Sequence, residues 1–290
     1  MKGFLLIDKE KGQTSFDVVR AVRRAFGIKK VGHAGTLDPL ATGLLVVALG
    51  EGTKLLEYMI GCDKEYEVVG RFGARSDSYD ADGVIEEVVA ATELMGKKVD
   101  QERIQNLIND KYMGLIDQLP PKYSALKIGG KRACDLVREG KEVEMKLRQV
   151  QIDSFKLVED DWPRLRFRVQ CGSGTYIRSL INDLGADLEV GAYVEELRRT
   201  RVGEFRIEEA VSFDALESSK LLSLEYVVKK YFEVRDLDDF AMQSLKDGKT
   251  WVGERAEGKL IAAFYKGVLV GLLKNSPDGR GVKFGKVVLN

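Results

Sequence analysis

Cysteine is scarce in this chain. Cys62, Cys134 and Cys171 are the only three, widely spaced and odd in number. There is no Cys-x-x-Cys and only one histidine, His33, so neither a disulfide framework nor a zinc site is expected. No local motif supports a Cys-His catalytic pair, and the thiols read as small buried side chains. An excess of one charge is lacking as well: 46 basic and 46 acidic side chains cancel to zero. The total therefore carries no signature of a nucleic-acid binder. No apolar run approaches the roughly 20 residues that span a membrane. The N-terminal segment Met1-Lys2-Gly3-Phe4-Leu5-Leu6-Ile7-Asp8 meets acid too soon for a signal peptide. A cytoplasmic protein without membrane contact is expected.

Charge is present locally even though it cancels globally. Residues 1–30 hold eight basic side chains against three acidic ones, a net of +5. Residues 122–148 hold eight against four, a net of +4, and Arg198-Arg199-Thr200-Arg201 adds a third positive cluster. Such segregation creates a field that the net charge hides. The 290 residues suit one large domain, or a large one with a small one, and a 44% hydrophobic content supplies a packed core.

Local patterns give the elements. Phe4-Leu5-Leu6-Ile7 reads as a buried strand, and Thr14 or Ser15 caps a helix from Phe16 to Phe26. Leu44 to Leu49 is a buried run, followed by a helix over 53–60 and an alternating strand over 64–72. A helix is expected over 100–118 and an ordered loop over 118–130, then a helix over 133–137. Strands follow over 150–158 and 165–171, and a long helix over 176–188. From Thr250 onward, short apolar segments with glycine punctuation suggest a small β-barrel, its last strand over Val287-Val288-Leu289, with a boundary near residue 233.

Three loops hold reactive residue types. Gly32-His33-Ala34-Gly35-Thr36-Leu37-Asp38-Pro39-Leu40-Ala41-Thr42-Gly43 places a carboxylate and the sole imidazole in a turn rich in small residues. Its plain reading is a surface turn in which Asp38 caps a helix; its chemical reading is a carboxylate offered to a close-approaching ligand. Lys64-Glu65-Tyr66 is the second loop. Gly172-Ser173-Gly174-Thr175-Tyr176-Ile177-Arg178 is the third, a glycine turn opening a helix whose first turn carries an arginine suited to a carboxylate such as Asp38. As a phosphate cradle it lacks the remaining glycine or Gly-Lys-Ser/Thr.

Taken together, these segments resemble the TruB family of bacterial tRNA pseudouridine-55 synthases. Residues 32–43 resemble the family's central GHxGxLDPxATG motif. Asp8-Lys9 with Gly12-Gln13-Thr14-Ser15 resembles its N-terminal motif, and Lys64-Glu65-Tyr66 with Asp80-Ala81-Asp82-Gly83 its tyrosine motif. Pro120 to Lys127 resembles its RNA-gripping insert, spanning about 100–148, and Gly174 to Arg178 with Leu197-Arg198-Arg199 its last catalytic motif. More weakly, residues 234–290 resemble a PUA-type RNA-binding barrel.

The resemblance implies an α+β fold. A catalytic domain over 1–233 would have a mixed, largely antiparallel central sheet flanked by helices and loops, and a PUA-like barrel would follow over 234–290. It implies isomerisation of uridine 55 in the tRNA T-arm without a cofactor or metal, by a monomer whose partner is tRNA and which needs no obligate protein partner. Asp38 would be the catalytic aspartate, Tyr66 would stack on the flipped uracil, and Arg178 would hold Asp38 by a salt bridge and lower its pKa. Tyr176 and Leu197 would line the base pocket, while His33 and Lys9 would contact substrate. A protein that only binds RNA, and the catalytic subunit of a guide-RNA particle, are the alternatives. Glu10 stands where the family has proline, which would loosen that turn. Gly172-Ser173 and Ala133-Cys134 also depart from its pattern.

Overall fold

The run Phe4-Leu5-Leu6-Ile7 is apolar on both faces because both faces of its strand are covered. In the computed structural model, which describes residues 1–216, 221–257 and 260–287, strand Gly3–Lys9 lies inside a ten-stranded sheet. The strand order is Val211–Ser212, Gly3–Lys9, Thr42–Leu49, Ala192–Val202, Lys64–Phe72, Arg164–Cys171, Arg148–Asp161 and Gly114–Gln118. Val31–His33 and Phe205–Arg206 pair at its sides. The ladders are antiparallel except at Thr42–Leu49 against Ala192–Val202 and at the Val211–Ser212 edge. The expected mixed, largely antiparallel α+β sheet is what forms.

Period-two alternation sends neighbours to opposite faces. Leu5, Ile7, Leu45, Val47 and Leu49 join one hydrophobic cluster with Val18, Val19 and Val22 of helix Ser15–Phe26. That helix starts in a capping box between Thr14 and Asp17 and stops at Gly27, whose φ of 61° is left-handed. Phe4, Leu6, Leu44 and Val46 face the other way. They share a second cluster with Leu224, Val227 and Val228 of helix Leu224–Tyr231 and with Ala262, Phe264, Leu269 and Leu272.

The last four residues named belong to a second sheet of five strands, ordered Glu233–Leu237, Ile261–Tyr265, Val268–Asn275, Gly281–Val287 and Trp251–Val252. It is the PUA-like unit, a curled half-barrel. Of the expected strand at Val287-Val288-Leu289, the last two residues lie outside the described residues.

Two expectations are corrected. The helix expected over 100–118 stops at Lys111; Gly114, with a φ of 78°, turns the chain into the strand Gly114–Gln118. The helix expected over 53–60 is a 3₁₀ turn, Gly50–Leu55, followed by a short α-helix, Leu56–Ile60.

Candidate active site

Asp38 sits in the loop between Val31–His33 and Thr42–Leu49, and the loop is knitted to the segment that opens helix Ser15–Phe26. The buried Ser15 hydroxyl donates to the Leu37 carbonyl at 3.1 Å and accepts from the Leu37 N–H at 2.8 Å. The Gly12 N–H donates to the Pro39 carbonyl at 2.8 Å. Lys9 Nζ donates to the carbonyls of Glu10 and Gln13 at 2.9 and 2.8 Å and reaches that of Pro39 at 3.5 Å. These bonds hold the turn that Glu10 was expected to loosen. At the loop's end Gly43 has a φ of 100°, and a Cβ there would lie 2.3 Å from the Arg199 carbonyl oxygen, so the close approach admits only glycine. Ser15→Ala would leave the Leu37 N–H and C=O unpaired in the interior, and is expected to lower stability by about 1–3 kcal/mol, measured by urea unfolding.

Arg178 enters from the buried first turn of helix Ile177–Asp187. Its Nε lies 3.0 Å from Asp38 Oδ2 and its Nη1 3.0 Å from Asp80 Oδ2. Nη1 also donates to the Ser78 carbonyl at 2.8 Å, and Nη2 to the Tyr123 carbonyl at 2.9 Å. Asp80 is itself fixed, accepting from Ser78 Oγ at 2.6 Å and from the Asp82 N–H at 3.1 Å. Both terminal nitrogens are hydrogen-bonded, while Nε meets Asp38 as an ion pair without hydrogen-bond alignment; two carboxylates offset the cost of burying the cation.

The electrostatic result differs from expectation. Enclosure is the largest influence on Asp38 and pushes its carboxyl above the usual aspartate range; Arg178 pulls it down, Asp80 pushes it up and Lys9 pulls it down. Arg178 does not win because the cleft limits solvation and because Asp80 shares the guanidinium. The Asp38 side chain still keeps 35% of its surface open, so a bound base would complete its desolvation.

Asp38, Tyr66, Tyr176, Arg178 and Leu197 all line one cleft of about 320 Å³. Tyr66 and Leu197 come from adjacent strands, Lys64–Phe72 and Ala192–Val202, and are 9% and 7% exposed. Burial raises the Tyr66 hydroxyl pKa, while the Arg199 guanidinium opposes the rise. Ala125 and Leu126, in the part of the expected insert that runs over 119–147 between strands Gly114–Gln118 and Arg148–Asp161, close another side.

Lys9 and His33 do not line this cleft. Lys9 is fully buried and caged by carbonyls beneath the Asp38 loop, so it shapes that loop instead of touching a ligand. Burial lowers its pKa to about 8. His33 lies off the cleft wall, half-buried on Val31–His33, and burial followed by the Arg199 charge lowers its pKa.

Lys64 and Arg199 complete the cleft wall. Both are buried cleft-lining cations that bond to carbonyls: Lys64 to Ile60 at 2.6 Å, Arg199 to Leu44 at 2.8 Å and to Gly35 at 3.1 Å. Strand alternation was the available signal, since it points Leu197 and Arg199 to the same face. The cleft thus combines one carboxylate, aromatic and aliphatic walls, and three buried cations. That is the chemistry of a site for a planar base on an anionic chain.

Comparison with known proteins agrees. Residues 23–177 match the TruB family pseudouridylate synthase N-terminal domain, and residues 178–248 the tRNA pseudouridylate synthase B C-terminal domain. A tRNA pseudouridine synthase B of Mycobacterium sp. (strain KMS) is 41% identical over 282 residues, covering 95% of this chain and 93% of the relative. That of Leifsonia xyli subsp. xyli is 43% identical over 284 residues, covering 94% and 92%. Among solved structures, a chain in a Cbf5-Nop10-Gar1 complex superposes with a TM-score of 0.72 at 26% identity, over 99% of this chain and 85% of that one. This chain belongs to the TruB family of pseudouridylate synthases.

Proposed function

We propose that this chain converts uridine 55 in the T-arm loop of tRNA to pseudouridine. The observation that carries the reading is Asp38 facing a base-sized cleft with Tyr66 on its wall and Arg178 3.0 Å away. The reaction breaks the N1–C1′ glycosidic bond, turns the uracil and joins its C5 to C1′. N1 ends protonated and the C5 hydrogen leaves as a proton. The atoms balance without an oxidant, a reductant or net hydrolysis.

The target uridine must leave its stack, at a cost of a few kcal/mol. Stacking on the Tyr66 ring returns about 1–3 kcal/mol, and Leu197 supplies apolar contact. Asp38 places negative charge beside the breaking bond, and Arg178 fixes the carboxylate's direction. The positive segments 1–30 and 122–148 hold the backbone by phosphate contacts that position the RNA without reading its sequence. Residues 1–233 would form the catalytic domain and 234–290 a PUA-like RNA-binding unit, acting as a monomer in the cytoplasm. Among the described residues no helix is long and apolar enough to cross a membrane.

The test is the purified chain on a bare T-stem-loop, with the product mapped chemically. Pseudouridine at position 55 supports the reading. Activity only in the presence of a guide RNA or added proteins would instead support the guide-RNA-particle alternative. Tyr66→Phe is expected to lose much less activity than Tyr66→Leu, because the ring supplies the stacking. Equal losses in a tritium-release assay would assign proton transfer to the hydroxyl.

A further inference from the structure

Gln118 is the last residue of the strand Gly114–Gln118, and its side chain is buried. Its Oε1 accepts from the Tyr176 N–H at 2.8 Å, and its Nε2 donates to the Tyr176 carbonyl at 3.0 Å. Tyr176 is the N-cap residue of helix Ile177–Asp187, has no side-chain cap of its own and sits in extended backbone with φ −101° and ψ 107°. The first turn of a helix lacks intrahelical partners for its N–H groups, so its start is easily displaced. Nearby, Ser179 Oγ donates to the Leu119 carbonyl at 2.7 Å, and Arg178 Nη2 to the Tyr123 carbonyl at 2.9 Å. Gln118 also stands opposite Arg148 in the strand register, so this pair forms the neck of the insert 119–147.

We propose that Gln118 is a positioning residue: by gripping both backbone polar groups of Tyr176 it sets where the Tyr176 ring and the Arg178 guanidinium stand, and ties both to the root of the insert. This rests on the function proposed above. Gln118 does not line the cleft; it acts through Tyr176 and Arg178. Without it, the Tyr176 N–H loses its partner and the Tyr176 carbonyl keeps only the Leu180 N–H, at 3.3 Å, unless the helix start shifts. A shift of about 1 Å in a catalytic group can cost on the order of 100-fold in rate.

The experiment measures single-turnover pseudouridine formation, RNA dissociation constants and pH profiles on the T-stem-loop for the wild type, Gln118→Leu and Gln118→Glu. Gln118→Leu, which loses both bonds, is expected to slow the step at least about tenfold while the Kd stays within about threefold. Gln118→Glu keeps the acceptor for the Tyr176 N–H and is expected to fall between. The charges facing Asp38 are Arg178, Asp80 and Lys9. Of these, Arg178 is the one Gln118 places, so the acid limb should move to higher pH in Gln118→Leu. Should that variant fail to fold, Gln118→Glu decides alone. A wild-type rate with an unmoved acid limb overturns the proposal, as does a rate loss accounted for by weaker RNA binding. An inactive wild type overturns the functional reading and this proposal with it, whereas an active wild type with unchanged variants overturns this proposal alone.

Discussion

Asp38→Asn is expected to reduce pseudouridine formation at least about 10³-fold, a loss of about 4 kcal/mol of transition-state stabilisation, while tRNA binding holds or tightens. Among the described residues the carboxylate is the only acid on the cleft wall, and an amide cannot replace its charge beside the breaking bond. Binding is expected to survive because the basic segments 1–30 and 122–148, proposed to hold the RNA backbone, are unchanged. The variant should also be no less stable than the wild type. The fold raises the Asp38 pKa, chiefly by enclosure, so at neutral pH the ionised form is held at a cost that a neutral isostere relieves. Arg178 is not stranded, since Asp80 Oδ2 remains 3.0 Å from Nη1. A site that sacrifices stability for activity has this signature. The same shift gives a pH prediction. The rate should fall with decreasing pH through an apparent pKa above the ordinary aspartate value of about 3.9. Tritium release from about pH 4 to about pH 8 measures it; an acid limb at or below the ordinary value would contradict the electrostatic account.

Gly43→Ala carries the second large effect, on stability. Its Cβ would lie 2.3 Å from the Arg199 carbonyl oxygen and 2.8 Å from the Arg199 nitrogen, at a φ of 100°. Both obstacles are backbone, so no side chain can swing away. Relief requires prising Thr42–Leu49 from Ala192–Val202, where Arg198 pairs with Thr42 and Arg199 with Gly43. A destabilisation of about 3–5 kcal/mol is expected, a large part of a typical total of about 5–15 kcal/mol. Urea unfolding measures it, and a loss below about 1 kcal/mol would mean that the two strands separate easily.

The legible parts of this protein were those written locally. Asp38, Tyr66 and Arg178 stand in short motifs whose resemblance to the family implies their roles, and the apolar run at Phe4-Leu5-Leu6-Ile7 reads as a buried strand. What could not be read depends on register between distant segments. Arg199 looked like part of the surface cluster Arg198-Arg199-Thr200-Arg201. Alternation along the strand instead sends Arg198 to Asp8, at 2.6 Å, and Arg199 into the interior. The expectation that Lys9 touches substrate rests on the resemblance alone; three carbonyls converging on its ammonium are visible only after folding. Gln118 carried no signal, since nothing local says that its amide will meet a backbone 58 positions away.

The second hydrophobic cluster has a consequence for how the chain is born. Phe4, Leu6, Leu44 and Val46 emerge early from a ribosome, yet part of their cover, Ala262, Phe264, Leu269 and Leu272, is made near the end of synthesis. Until then part of the nascent sheet's oily face is open to solvent. A chain cut at residue 233 would keep its whole cleft and the helix Leu224–Tyr231, yet leave the cluster without Ala262, Phe264, Leu269 and Leu272. Its expected fate is aggregation, seen as loss of soluble yield, with the chemistry of the cleft intact in whatever fraction stays in solution.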